Sequence, residues 1–285
     1  MAARVALLLV AVDAWSMFGS SCDERKRVLL FGDSLTEGLL GNACHYRRAS
    51  RAAAAATSGA RPDCFHPYAL RVAARFEAAG VSAPLAFLTT APAEAPDGAR
   101  RGAGCGAEGA SHEVRVDESG VSGERADHMI PRLKALLKAR GCYDALAILA
   151  GTNNLASDAP EKILADVREL NAVARRACPR ARVVHVTLPE LYGEAWPTPR
   201  ATRAAVNAGL PKSATVDLDA ATCMTCAGAA PNRTRLWDPD AIHFTKAGYD
   251  ALGDLVFDAL STALTHRARR RRDRARRRKL ASLYA

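Results

Sequence analysis

The sequence has no hydrophobic run long enough to cross a bilayer. Val5 to Val12 is an eight-residue apolar run behind the single Arg4, and Asp13 closes it; a spanning helix needs about 20 such residues. Gly19-Ser20-Ser21 offers small residues for a cleavage site ahead of Cys22, so residues 1–26 resemble a short secretory signal, while Met17 offers a later start. Secreted or endomembrane and cytoplasmic locations both stay open. A second C-x-x-C is missing as well. Cys223-Met-Thr-Cys226 stands alone, which argues against a zinc site and for a local disulfide or two plain thiols. The cysteines number eight, but a chain of this length does not need a disulfide framework, and their pairing is left open. No internal repeat is visible.

Charge of one sign is missing from the body of the chain. The formal charge is +10, yet residues 267–279 (RARRRRDRARRRK) hold nine Arg, one Lys and one Asp, a net +9, which leaves +1 for the rest. Any attraction to a polyanion or an anionic membrane therefore belongs to the tail, residues 266–285. What is present in quantity is core material: 285 residues, 49% of them hydrophobic, suffice for one large domain or two small ones.

Strand-like and helical patterns alternate. Apolar runs at 27–32, 112–116, 143–150, 182–187 and 214–218 predict five strands. Helical spacing follows Pro67 up to Gly80 and runs from Gly123 to Gly141, where Met129, Leu133, Leu136 and Leu137 share a face. Further helices are predicted from Pro160 to Ala177 and from about Thr245 to Leu264. This order predicts an α/β domain, residues 27–265, around a mostly parallel sheet covered on both faces. Two stretches poor in large apolar residues, 41–64 and 91–111, read as surface insertions. PLAFLTT at 84–90 fits either an extra strand or part of a crossover.

Reactive groups of a parallel sheet gather at the carboxyl ends of its strands. Those ends carry Gly32-Asp33-Ser34-Leu35, Gly120-Val121-Ser122-Gly123 and Gly151-Thr152-Asn153-Asn154, and Asp238-Pro-Asp240-Ala-Ile-His243 precedes the last helix. Each block has an ordinary reading. Ser34 and Glu37 have the S-x-x-E spacing of a capping box, Gly123 suits a turn, Gly-Thr-Asn-Asn is turn chemistry, and Asp240 could cap a helix. Four such coincidences at four matching strand ends are harder to accept than one site that uses them all. The remaining histidines are weaker candidates: His185 lies inside a strand, His128 on a helix, His45, His66 and His112 in or beside the insertions, and His266 at the start of the tail. Trp196 and Trp237 fall in loops on the same side, where packing is their expected role.

The four blocks resemble those of the GDSL esterases, or SGNH hydrolases, which carry Ser, Gly, Asn and His in that order: Ser34 in GDSL, Gly123 in GVSG, Asn153 in GTNN, and His243 with Asp240 as D-x-x-H. The resemblance spans about residues 27–265. It departs at Asn154, where the family often has Asp, and in the two insertions, which bear on substrate preference. It implies a three-layer α/β/α fold of the flavodoxin-like SGNH type with a five-stranded central sheet, and acyl-ester chemistry through a covalent intermediate.

Chemistry fits those roles. A serine hydroxyl needs a base, and His243 is the candidate. Asp240 would orient the imidazole, with Asp238 a rival by proximity. The Ser34 and Gly123 amides and the Asn153 side chain would hold the oxyanion. The sequence thus predicts a serine esterase for small or medium acyl esters, with no metal or cofactor. The alternatives are an acyltransferase on the same site, and a binding protein that uses the scaffold and the basic tail. Oligomeric state is not legible.

Overall fold

The computed structural model describes residues 25–41, 64–88, 113–191, 200–223, 235–262 and 264. The N-terminal segment before residue 25, the 41–64 insertion apart from its two end residues, the whole of the 91–111 insertion, Trp196, Cys226 and the 267–279 run lie outside the described residues.

The chain begins with β1 (Lys26–Gly32), a one-turn helix α1 (Ser34–Glu37), α2 (Ala69–Ala78), β2 (Leu85–Phe87) and β3 (Val114–Gly120). It continues with α3 (Ala126–Arg140), β4 (Ala145–Leu149), a 3₁₀ turn at Thr152–Asn154, α4 (Pro160–Ala177) and β5 (Arg182–Val186). Then follow α5 (Arg200–Gly209), β6 (Thr215–Val216), α6 (Leu218–Thr222) and a last helix α7 over 246–262. No described helix is long and apolar enough to cross a membrane.

The sheet has six strands, all paired in parallel, in the order β2-β3-β1-β4-β5-β6. This corrects the expectation of five. The additional strand is Leu85–Phe87, three residues at the edge beside β3, too short and too exposed on one side to leave a distinct sequence signal. Two other strand bounds shift. β3 starts at Val114 and runs through the polar residues Asp117, Glu118 and Ser119 to Gly120, and the last strand is only Thr215–Val216. Asp117 is tolerated in the interior because Arg27, Arg115 and the Tyr143 hydroxyl all donate to its carboxylate.

Side chains alternate across β1, so Val28 and Leu30 enter one core while Leu29 and Phe31 enter the other. The first core packs against α2 and α7 through Val72, Phe76, Val256, Phe257 and Leu260. The second packs against α3 and α4 through Met129, Leu133, Leu137, Val167 and Leu170. Helices thus cover both faces, which gives three layers. Central β1 has β3 on one side and β4 on the other, with Gly32 level with both Gly120 and Leu149. The loops that leave these three strands emerge side by side at a point where the winding direction reverses, the usual place for a site in such a sheet.

Candidate active site

Ser34 sits where β1 turns into α1, but it is not the helix cap. Asp33 is: its Oδ1 accepts from the Leu35 amide at 3.0 Å, and its carbonyl accepts from Thr36 and Glu37. The capping-box reading of Ser34 and Glu37 is overturned. The Glu37 carboxylate turns away from its own helix and accepts from the Ser122 amide at 2.9 Å and the Ser122 hydroxyl at 2.5 Å, pinning the loop after β3. That arrangement needs close backbone approach: a Cβ on Gly120 would stand 2.2 Å from the Glu37 nitrogen.

The structure brings the separated blocks together. His243 Nε2 lies 3.1 Å from Ser34 Oγ, and His243 Nδ1 lies 2.7 Å from Asp240 Oδ2. The other Asp240 oxygen accepts from the Ile242 and His243 amides, each at 2.9 Å. One carboxylate oxygen therefore shapes the loop while the second faces the imidazole. Burial raises the proton affinity of Asp240, but the bonds from the His243 ring and the two amides outweigh it and hold the carboxyl well below the ordinary carboxylate range. The rival Asp238 instead accepts from the Asp240 amide at 3.3 Å. Ala241, between the acid and the histidine, has φ +54°, a left-handed conformation unusual for a residue with a Cβ. The loop is clamped at its ends. Trp237 and Phe244 bridge with ring centroids 4.4 Å apart, and the Trp237 indole donates to the Thr222 carbonyl. Trp237 is thus a packing residue.

The loop after β3 turns at Val121–Glu124, closed by the Glu124 amide donating to the Val121 carbonyl, with Gly123 at φ +75°. Asn153 reaches this loop and donates one amide hydrogen to the Glu124 carbonyl at 2.9 Å. A primary amide has a second hydrogen to offer. The Ser34 and Gly123 backbone amides have no hydrogen-bond partner among the described residues.

Asn154, the departure noted in the sequence, is buried and structural. Its oxygen accepts from the Ala126 amide at the start of α3, and its nitrogen donates to Asp158, itself bound by Arg125. Because Asp158 already supplies the charge facing Arg125, an amide fits where a second carboxylate would repel it.

Asp33, beside the serine, is fully buried. Desolvation pushes its carboxyl up to about 6, against the Leu35 amide, Thr152 and the His243 ring, which favour the charged form. Among the described residues, its Oδ2 and the Thr152 hydroxyl both lie outside hydrogen-bond geometry. The other histidines stay apart from the site: His185 is a core residue of β5, pushed down to about 4 by burial and Arg175, His128 is exposed on α3, and His66 bonds Asp250. Cys64 and Cys223 each take part in a disulfide, while Cys142 and Cys178 are free thiols. Among the described residues, no group of three His, Cys, Asp or Glu is placed to hold a metal ion.

Sequence reading missed the supports of this site: Glu37, Glu124 and Arg132. Each is an ordinary charged residue on a predicted helix or turn, and only the tertiary fold shows what it binds.

The sequence matches the GDSL-like Lipase/Acylhydrolase family over residues 78–251. The matched span takes in Gly123, Asn153, Asp240 and His243, and Ser34 precedes it. No curated protein matches the sequence. Among solved structures, a family 3 carbohydrate esterase of Clostridium thermocellum superposes with a TM-score of 0.54 at 16% identity, covering 86% of this chain and 100% of its own. The lipase/acylhydrolase from Enterococcus faecalis gives 0.53 at 16% identity, over 83% and 96%. At such identity the likeness is one of fold. The chain belongs to the GDSL-like lipase/acylhydrolase family and is a hydrolase of that type.

Proposed function

We propose that the protein is a serine esterase that cleaves small or medium acyl esters through an acyl-enzyme on Ser34. The observation that carries this reading is the continuous line from Asp240 through the His243 ring to the Ser34 hydroxyl, at 2.7 and 3.1 Å. Such a line supports nucleophilic attack by an otherwise poor nucleophile.

In the first half-reaction Ser34 Oγ bonds to the acyl carbon while its proton passes to His243 Nε2. The carbonyl π pair moves onto the oxygen. That oxyanion is met by the Ser34 and Gly123 amides and by the second hydrogen of the Asn153 side chain. As the tetrahedral carbon collapses, the ester C–O bond breaks and His243 returns its proton to the leaving alcohol. In the second half-reaction water gives a proton to His243 Nε2 and attacks the acyl carbon, and the acid leaves as Ser34 regains its proton. Asp240 holds Nδ1 throughout and stabilises the imidazolium; its suppressed proton affinity keeps it charged for that purpose. No step calls for a metal or a cofactor.

The test is a panel of nitrophenyl esters of increasing acyl length, read by chromophore release. Turnover that is abolished in Ser34→Ala supports the reading; a folded wild-type protein inert on the whole panel, or a fully active Ser34→Ala, overturns it. Repeating the assay with an added alcohol acceptor separates hydrolysis from acyl transfer, since a transferase would divert acyl groups into a new ester.

A further inference from the structure

Arg132, on α3, spends its guanidinium on three different elements. Its Nε and one terminal nitrogen grip the Glu124 carboxylate, with Nε contacts of 2.8 and 2.9 Å. The same terminal nitrogen donates to the Gly32 carbonyl at 2.9 Å. The other donates to the Ser119 carbonyl at 3.1 Å and to its hydroxyl at 2.6 Å. The guanidinium carbon stacks 4.0 Å over the Phe31 ring. Both members of the ion pair are largely withdrawn from solvent, at 13% and 11% side-chain exposure for Arg132 and Glu124, so the pair is more than a solvated surface contact.

We infer that Arg132 is a positioning residue for the oxyanion hole, setting the spacing of all three of its donors. Gly32 lies two residues before Ser34. Glu124 follows Gly123 directly, and its carbonyl is the acceptor that orients Asn153. Arg132 ties Gly32 and Glu124 to one rigid planar fork, a geometry that lysine cannot reproduce. It has a second effect. Glu124 is joined directly to Gly123 and its carbonyl holds Asn153, so its carboxylate belongs to the same short turn as two of the proposed donors. Arg132 neutralises it there. This inference deepens the proposed reading of the site and rests on it.

The test compares kcat and KM on a neutral nitrophenyl ester for Arg132→Met, Glu124→Gln, the double variant, Asn153→Ala, and Arg132→Met combined with Asn153→Ala. Circular dichroism and melting confirm folding. Loss of donor alignment reduces kcat about 10- to 100-fold in Arg132→Met with KM within about threefold, because the oxyanion exists only past the ground state. Adding Glu124→Gln recovers part of that loss, since no unpaired carboxylate then faces the developing charge. In the Asn153→Ala background Arg132→Met costs much less, as expected of groups that act as a unit. Should Arg132→Met not fold, Arg132→Lys carries the same comparison with a smaller loss. A folded Arg132 variant with wild-type kcat overturns the inference. So does a loss seen in KM alone, or one that multiplies in full with that of Asn153→Ala. If Asn153→Ala is itself fully active, the proposed oxyanion hole fails instead, and the two failures are distinguishable.

Discussion

The two sides of Ser34 are held by different means. On the histidine side, the parts lie close in the chain. Asp240 contacts two amides and a ring within three residues of itself, Trp237 and Phe244 close the loop, and Thr245 bonds back to the Leu236 carbonyl. On the side of the proposed oxyanion hole almost every contact is long-range: Glu37 to Ser122, Arg132 to Gly32, Asn153 to Glu124, Asn154 to Ala126. The histidine side is organised mainly by short-range contacts within one loop, which the Trp237 indole anchors to the Thr222 carbonyl. The oxyanion side exists only because β3, β1 and β4 end at the same level. Damage should therefore be local and severe on the first side, and graded and shared on the second.

The largest effects belong to the histidine side. His243→Ala should reduce kcat by about 10⁴-fold or more, and Asp240→Asn by about 10³- to 10⁴-fold, because the wrong tautomer cannot take the serine proton. Asp238→Asn should remain within about tenfold of wild type, because the Asn side-chain oxygen can still accept from the Asp240 amide and no imidazole depends on it for its tautomer. Steady-state turnover of a chromogenic ester measures all three; an Asp238 variant weaker than the Asp240 variant would reassign the acid.

An intermediate effect is expected opposite. Asn153→Ala should lower kcat by about 100- to 1000-fold, the range for one lost oxyanion donor, with little change in KM. Unchanged turnover would reduce Asn153 to a tether for the Glu124 carbonyl and end the comparison of the two sides.

The smallest effect concerns stability, and it sets two acids beside the serine against each other. Asp33 is raised by burial from 3.8 to about 6 in the folded chain. The folded state therefore holds the proton more tightly, and stability is lost as pH rises from about 4 to 6. Asp33→Asn keeps the Leu35 cap and stays neutral, so above pH 6 it should be more stable than wild type by about 1–3 kcal/mol, with the gap closing below pH 4. Asp240 has the opposite sign: its depressed proton affinity contributes stability at neutral pH that is lost in acid. Urea melts at pH 4 and pH 8 check both; an Asp33→Asn variant less stable at pH 8 would show that the carboxylate makes bonds its burial conceals.

Legibility followed the same division. D-x-x-H is a local pattern, so the spacing that joins Asp240 to His243 could be read before any fold was known. Ser34 and Gly123 were visible because strand ends carry small residues there. The parallel order and the two covered faces followed from apolar strands alternating with amphipathic helices. Edge strand Leu85–Phe87 was ambiguous at three residues, and α5, whose one large apolar residue is Val206, has a face built of alanines that is easily passed over. The partner of Glu37 was not legible, because S-x-x-E says which groups could pair along a helix, not whether Ser122 offers a better partner from another strand. Arg132 and Glu124 left no trace at all, since a buried fork that joins three elements looks in sequence like a solvated helix face.

The central claim is that Ser34 is the residue that becomes acylated, and labelling with a fluorophosphonate tests it most directly. Peptide mass spectrometry of the labelled wild type should place a single adduct on Ser34. Folded Ser34→Ala should carry none, and folded His243→Ala should label far more slowly. An adduct on any other residue, or undiminished labelling of Ser34→Ala, would contradict the account.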